Sequence, residues 1–547
     1  MSLLAHLAYK PRELQFGTSG RRGEVVHLTQ LEIYINVLAE LRYLQALPRG
    51  LGGIAPGEEV YYAHDLRPSS TAYVPEQQGR GELAQAAAAA IADAGMLPVH
   101  LGAIPTPALA HFGLTRNRAS LMITGSHIPF DRNGYKANTS IGELLKEHEE
   151  PVGRMVAQVR DEIYRQPFAE SAFDAWGLFK SGHRELPAPC QAAAESYLQR
   201  YREFFAGLSL HGKRLLVYQH SAVGRDLLAE LLQGFGAEVV PAGRSAEFVP
   251  IDTENIDAAQ IGAVQELVDE ATRERGPIFA VVSTDGDSDR PLILGLDAPS
   301  GKVQFFGGDL VGMVVAEYLQ ADAVVVPISS NDAIDRGKLA RVLEPKTRIG
   351  SPYVIAGMQS ARERGRHAVC GWEANGGFLT GTEINLNGRC LSALPTRDAF
   401  LPILGVLFAA ESRGLPVTGL FRELPQRFSR AALIRQFPRA TALRILANFT
   451  PKTGGGEELE AIRAALRAFF PADSGFSEIA GIDYTDGVRI SFRNDEVAHL
   501  RPSGNADEFR IYATADSQAR ADAIAEAAVE EPDGILRRME RAAASRE

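Results

Sequence analysis

Between residues 60 and 126 the chain reads VYYAHD (60–65), a helical spacing from Glu76 to Ala94 closed by Gly95, then LPVHLGA (97–103) and SLMITG (120–125). Short apolar runs rich in β-branched and aromatic residues predict strands, and the alanine-rich stretch between them predicts a helix. This is an α/β pattern. It returns in RLLVYQH (214–220), a helical stretch from Arg225 to Gly234, AEVVPAG (237–243) and IFAVVST (278–284). It returns again from Asp309 through AVVVPISS (323–330), a helix near Ala333 to Leu343, and HAVCGW (367–372). Three α/β units in series follow, related in architecture rather than by a residue-level repeat.

An apolar helix from about Ala399 to Ala410 and a break at ESRGLP (411–416) lead into a different texture, where GVRISF (487–492) and EFRIYATA (508–515) alternate at period two. That predicts an α+β unit at the end. The expected plan is three consecutive mixed-sheet α/β domains plus a C-terminal α+β domain around a central cleft. Its expected bounds are 1–175, 190–300, 301–418 and 419–547. Residues 166–189 and TGGGEE (453–458) read as surface connections.

The 547 residues carry 57 basic and 68 acidic side chains, a net charge of 57 − 68 = −11. No basic field is available for a nucleic-acid backbone or an anionic membrane, so a small molecule is the expected partner. Apolar residues make up 45% and charged residues 23%, as in ordinary globular proteins. Cys190, Cys370 and Cys390 are scattered without CxxC spacing, which argues against a disulfide framework and a zinc site. The start MSLLAHLAYKPREL has no signal-type apolar region, and no apolar run approaches the ~20 residues of a membrane span. A cytoplasmic protein, monomeric or a small homo-oligomer, is expected.

Four loops interrupt this scaffold. Thr284-Asp285-Gly286-Asp287-Ser288-Asp289-Arg290 follows an apolar strand. Carboxylates at i, i+2 and i+4 beyond a strand end can wrap one hard cation, and Mg²⁺ suits a small carboxylate set that leaves positions for water or phosphate. The same letters suit a solvated acidic turn. An EF-hand does not fit, since its sixth position would be Arg290 and its twelfth Leu296.

In ITGSHIP (123–129) a serine stands exposed at a strand end beside His127, with Lys136 close behind in NGYK (133–136), a set able to carry and protonate a phosphoryl group. Taken alone, a Ser-His pair in a turn is more often a local hydrogen-bonding device. In GWEANGG (371–377), Glu373 and Asn375 can grip vicinal sugar hydroxyls, or form a plain turn. In RPSGN (501–505), with Arg510 following, an arginine, a hydroxyl and backbone amides around glycine suit a phosphate monoester, as they also suit a Pro-Ser-Gly turn.

Together and in this order, GTSGRRG (17–23), TGSHIP, DGDSDR, GWEANGG and RPSGNADEFR closely resemble the motif set of the α-D-phosphohexomutase superfamily, with further likenesses at AHDLRPSS (63–70), NGYK and TDGVR (485–489). The resemblance spans nearly the full length. It implies an isomerase that exchanges hexose 1-phosphate and hexose 6-phosphate through a phosphoserine and a hexose 1,6-bisphosphate. By that resemblance Ser126 carries the phosphoryl group, and Asp285, Asp287 and Asp289 hold Mg²⁺ with one phosphoserine oxygen. Lys136 is the implied general acid/base, a task that needs a lowered pKa. His127 and Arg22 would stabilise the moving group, with Arg290 in the same shell. Glu373 and Asn375 would hold the ring, and Arg501, Ser503, Gly504, Asn505 and Arg510 the phosphate. EANGG and RPSGNA resemble bacterial phosphomannomutase-like proteins, which puts mannose first, then glucose or glucosamine.

The chain departs from the family's pattern at Gly125, usually alanine, Ile128, usually asparagine, Asn375, often serine, and Asn505-Ala506-Asp507, usually Thr-Glu-Pro. RIGSPYVI (348–355) stands where relatives often place a substrate-touching lysine. The rival from another class is an aspartyl-phosphate phosphatase with Asp285 as nucleophile and Asp287 as acid. It lacks a later acidic metal motif, since GDLVGM (308–313) has no final Asp. A non-catalytic sugar-phosphate sensor would have no use for Ser126, Lys136 and three aspartates together.

Overall fold

The computed structural model describes residues 1–17, 20–254, 256–503 and 507–544. The first sheet has six strands in the order Gln15–Phe16, Arg21–Glu24, Arg132–Asn138, Ser120–Ile123, Glu59–His64, Leu97–Ala103. Glu59–His64 is parallel to both of its neighbours, while Ser120–Ile123 turns back antiparallel into Arg132–Asn138. Both faces of Glu59–His64 are covered. Val60 and Tyr62 enter one apolar core, Tyr61 and Ala63 another, as a strand with helices on either side requires.

The second sheet runs Glu238–Arg244, Arg214–His220, Ala280–Thr284, Pro291–Leu296, Val303–Phe305, and the third Ala323–Val325, Val369–Trp372, Phe378–Thr380, Leu394–Asp398. Both mix parallel and antiparallel pairs. One device recurs in all three units. A buried strand ends, a short loop follows, and the chain returns as an antiparallel neighbour, closing at Ile123↔Tyr135, Thr284↔Pro291 and Trp372↔Phe378. The serine, aspartate and glutamate loops are these three returns.

The last sheet is wholly antiparallel, in the order Phe428–Arg435, Glu508–Ala515, Val497–Pro502, Val488–Phe492, Ile479–Asp483. The architecture is therefore three mixed-sheet α/β units and a terminal α+β unit. One continuous core reaches from Tyr61 to Leu424 and joins the first three units, with Phe205 stacked on Phe408 at 4.8 Å between ring centroids. The fourth unit has a separate core, from Ile434 to Ala543. Motion between bodies with separate cores breaks few apolar contacts, whereas motion within the shared core opens voids.

Two sequence expectations change locally. The single helix expected over Glu76 to Ala94 is a 3₁₀ turn at Pro75–Gln77, a two-residue strand Arg80–Gly81, and a helix only from Leu83–Asp93. Gly81 adopts a positive φ, and a Cβ there would lie 2.0 Å from the Ala72 carbonyl, so the chain turns where composition favours helix. The helix expected near Ala333 to Leu343 is two 3₁₀ turns, Asp332–Asp335 and Lys338–Val342, interrupted at Gly337. Among the described residues, no helix is long and apolar enough to cross a membrane.

Candidate active site

Ser126, expected to be exposed at its strand end, is instead buried beneath the aspartate loop that meets it, and sits at φ 55°, in the left-handed region that few non-glycine residues adopt. Its loop is held from behind by two residues the motif reading left without a role. Asp65, at the end of the central strand, accepts from Thr124 Oγ1 at 2.7 Å and from the Gly125 N–H at 3.3 Å. Arg67 donates to the carbonyls of Ser126 (2.9 Å), Pro129 (2.7 Å) and Arg132 (3.0 Å), and also to that of Ile128. Its guanidinium packs 3.8 Å from the Phe248 ring centroid. The two lie in AHDLRPSS, so the signal was present, but nothing in the letters says that they splint another loop.

The aspartate loop meets this serine directly. Ser126 Oγ donates to Asp285 Oδ2 at 2.9 Å, and His127 Nδ1 lies 3.5 Å from the same hydroxyl. Gly286 allows the approach, since a Cβ there would stand 2.7 Å from the Ser126 carbonyl oxygen. Asp285, Asp287 and Asp289 are buried, and one carboxylate oxygen from each falls within 4.8 Å of the others. Lys136 Nζ donates to Asp287 and Asp289 at 2.6 Å each. Thr106 Oγ1 donates to Asp287 Oδ2 at 2.6 Å, a contact no sequence motif announces.

Asp287 Oδ1 and Asp289 Oδ1 are buried without a hydrogen-bond partner among the described residues. Buried carboxylate oxygens in that state demand a cation. All-oxygen donors of one sign fit a hard divalent ion such as Mg²⁺.

Burial, with Asp287 and Asp289 alongside, pushes Asp285 well above the usual carboxylate range. Burial would raise Asp287 and Asp289 too, but it is outweighed by the lowering contacts together, Lys136, Thr106 and Arg22 on the former and Arg397, Lys136 and Arg290 on the latter, which hold both carboxyls down. Burial and the cations Arg290 and Arg22 push His127 well below its ordinary value, so its ring is neutral near pH 7.

Arg22, on Arg21–Glu24 opposite Gly134, has Nε and Nη2 buried without a partner among the described residues. Burial lowers it to about 10 against the pull of Asp287, with Arg290 and Arg397 adding to the fall. Arg290 Nε stands 3.6 Å from Asp289 Oδ1 and 3.8 Å from Asp285 Oδ2. Buried arginine donors grouped around a hydroxyl are chemically suited to the equatorial oxygens of a phosphoryl group.

Glu373 and Asn375 reach this centre from the third unit. Glu373 accepts from Arg397 Nη1 at 3.0 Å, and Arg397 in turn bonds Asp289. Asn375 spends its Oδ1 on the Gly377 N–H at 3.0 Å, while its carbonyl accepts from Thr253 Oγ1 at 2.8 Å. The second and third units thus meet across the glutamate loop.

In the fourth unit Arg501 and Arg510 are direct cross-strand partners. Like charges placed opposite one another repel unless an anion joins them. Asp486 sits 3.0 Å from Arg501 Nε, and Glu508 accepts from Arg510 Nη2 at 2.7 Å. Ser503 follows, buried, with its N–H donating to the Glu508 carbonyl at 2.9 Å. Gly504 and Asn505 lie outside the described residues. Glu254, raised to about 7 by burial and by Asp252, is pulled the other way by both Arg510 and Arg290. Arg510 of the fourth unit and Arg290 of the aspartate loop thus both act on Glu254.

Family models for phosphoglucomutase/phosphomannomutase match α/β/α domain I at residues 13–161, α/β/α domain III at 307–428 and the C-terminal domain at 446–531. The chain belongs to this family. It is 37% identical over 504 residues to a phosphomannomutase of Sinorhizobium fredii, covering 92% of this chain and 95% of the relative. A phosphomannomutase of Salmonella muenchen is 35% identical over 507 residues, covering 92% of each. In fold, the chain is similar to the crystal structure of a phosphoglucomutase/phosphomannomutase family protein from Burkholderia thailandensis, with TM-score 0.63, 18% identity and 98% of each chain covered. As a phosphohexomutase it is an isomerase that works by phosphoryl transfer. The buried aspartates suit the magnesium ion of such chemistry.

Proposed function

We propose that this phosphohexomutase interconverts hexose 1-phosphate and hexose 6-phosphate, mannose first among the sugars, with a hexose 1,6-bisphosphate as intermediate. The observation that carries the reading is Ser126 Oγ at 2.9 Å from Asp285 Oδ2, beside two buried carboxylate oxygens without a hydrogen-bond partner among the described residues. In the forward half, the bond between phosphorus and Ser126 Oγ breaks as the bond to the sugar's free hydroxyl oxygen forms. Lys136 takes the proton of that hydroxyl as a neutral amine, which requires that its ammonium first leave Asp287 and Asp289 and give up a proton. Arg22, Arg290 and neutral His127 surround the moving group with donors. A magnesium ion held by Asp285, Asp287 and Asp289 would supply charge withdrawal from the phosphoryl group in a loose, in-line transition state.

The substrate's own phosphate is held by Arg501, Ser503 and Arg510, with Gly504 and Asn505 completing the loop. Glu373 and Asn375 grip the ring. The bisphosphate then turns over so that its other phosphate meets Ser126, and the second transfer returns the phosphoryl group to Oγ while Lys136 gives back the proton. A separate core in the fourth unit supports opening during that turn.

The test is a coupled assay of mannose 1-phosphate, glucose 1-phosphate and glucosamine 1-phosphate at matched concentrations, on the enzyme and on Ser126→Ala. Mannose 1-phosphate is expected to show the highest kcat/KM. Ser126→Ala is expected to lose at least about 10³-fold. An alanine variant that keeps most of its activity would point instead to Asp285 as nucleophile and overturn the mechanism.

A further inference from the structure

Three consecutive residues at the end of Leu394–Asp398 each reach a different part of the molecule. Thr396 Oγ1 donates to Glu143 Oε1 at 2.7 Å, and Glu143 Oε2 accepts from Ser351 Oγ at 3.0 Å, which ties the first unit to the third. Asp398 accepts from Tyr197 at 2.5 Å, from Tyr201, and from the Phe400 N–H at 3.0 Å, so the strand end is pinned to the helix Ala192–Phe204. Between these anchors Arg397, 3% exposed, spans the two loops that matter most. Its Nε and Nη2 lie 3.1 and 3.0 Å from Asp289 Oδ2, and Nη1 lies 3.0 Å from Glu373 Oε2.

The glutamate loop is shaped around this side chain. A Cβ on Gly377 would stand 2.5 Å from Arg397 Cδ and 2.7 Å from its Cγ, so the second glycine of EANGG leaves the room through which the arginine passes. A planar guanidinium fixed at both ends, on a strand anchored on either side, transmits displacement where a flexible ammonium would not.

We propose that Arg397 is a positioning residue that couples the aspartate loop to the glutamate loop, so that cation binding and sugar binding favour one another. When Asp289 shares its charge with a divalent cation, its hold on Arg397 weakens. The guanidinium then commits to Glu373, fixing the orientation of that carboxylate toward the ring hydroxyls. Linkage makes the effect reciprocal. The proposal rests on the reading of Glu373 as a sugar ligand.

The test is calorimetric binding of mannose 1-phosphate in the Ser126→Ala background, which cannot turn over, with and without Mg²⁺. Mg²⁺ is expected to tighten binding about fivefold or more, a typical coupling between linked sites. Adding Arg397→Met should abolish most of that dependence, and Arg397→Lys, which keeps the charge but not the fork, should weaken it. Should the methionine variant fail to fold, the lysine variant decides alone. A dependence on Mg²⁺ that is absent from the parent, or unchanged in the folded variants, overturns the coupling. A parent that binds no sugar phosphate under either condition overturns the functional reading instead.

Discussion

A Cβ placed on Gly125 would stand 2.6 Å from Nε of Arg67 and 2.7 Å from its Cζ. The guanidinium cannot retreat, because it is bonded to four carbonyls of the serine loop and to Asp65, and packed on Phe248. Glycine at position 125 is therefore matched to where this chain puts Arg67. Gly125→Ala should cost about 1–3 kcal/mol by overpacking and lower kcat by displacing the loop that presents Ser126. Urea unfolding and initial rates on one preparation check both. An alanine variant as stable and as fast as the parent removes the argument.

Asp65 and Arg67 are fully buried and paired at 3.3 Å. Removing the acid strands a buried cation, which costs about 3–5 kcal/mol. Asp65→Asn should therefore lower the unfolding midpoint. Because Thr124 Oγ1 and the Gly125 N–H both bond Asp65, it should also increase proteolysis within residues 124–132. A change in stability with no change in cleavage of that loop would assign Asp65 to the core alone.

Lys136 bridges two of the three carboxylates crowded within 4.8 Å of one another, yet Asp287 and Asp289 each keep a buried oxygen without a hydrogen-bond partner among the described residues, which suits a further cation. Adding Mg²⁺ should raise Tm, by an amount equivalent to about 2.7 kcal/mol at a hundred times Kd. EDTA should lower Tm and abolish turnover. Asp287→Asn should remove most of the Tm response while leaving a folded protein, since the amide oxygen can still accept from Thr106. A metal-independent Tm in the parent would leave the cage without a ligand.

Much of the fold was legible because its signals are local. Apolar strands and their punctuation mark the three α/β units, and period-two alternation marks the fourth. The helix misplaced at Glu76 failed because the turn at Gly81 is dictated by the Ala72 carbonyl, a contact no window of sequence contains. In the site, the three aspartates stood out by residue type and spacing, whereas Ser126 and Lys136 stood out only when their loop was read together with the other motifs. Thr106 and Arg397 did not stand out. Each acts across a boundary between units, on Asp287 and Asp289 respectively, and a single threonine or arginine carries no local pattern. Asn375 was legible as polar but not as partly committed to its own loop through Gly377.

Asp309 makes the stability of the third unit depend on pH. It opens the helix Gly308–Tyr318, where Oδ2 accepts the Asn331 N–H at 3.2 Å while Oδ1 is buried without a partner among the described residues. Burial raises its pKa from 3.8 to about 6. The native state thus keeps its proton where the unfolded chain has lost it. Stability from this group is full below about pH 4, falls as pH rises toward 6, and is flat above. About two pKa units correspond to roughly 3 kcal/mol. Asp309→Asn cannot ionise and keeps the acceptor for Asn331. It should unfold at higher urea than the parent at pH 7.5, by up to that amount, and at nearly the same urea at pH 3.5. A gap between the two proteins that is equal at both pH values would show that the carboxyl ionises natively as it does in water.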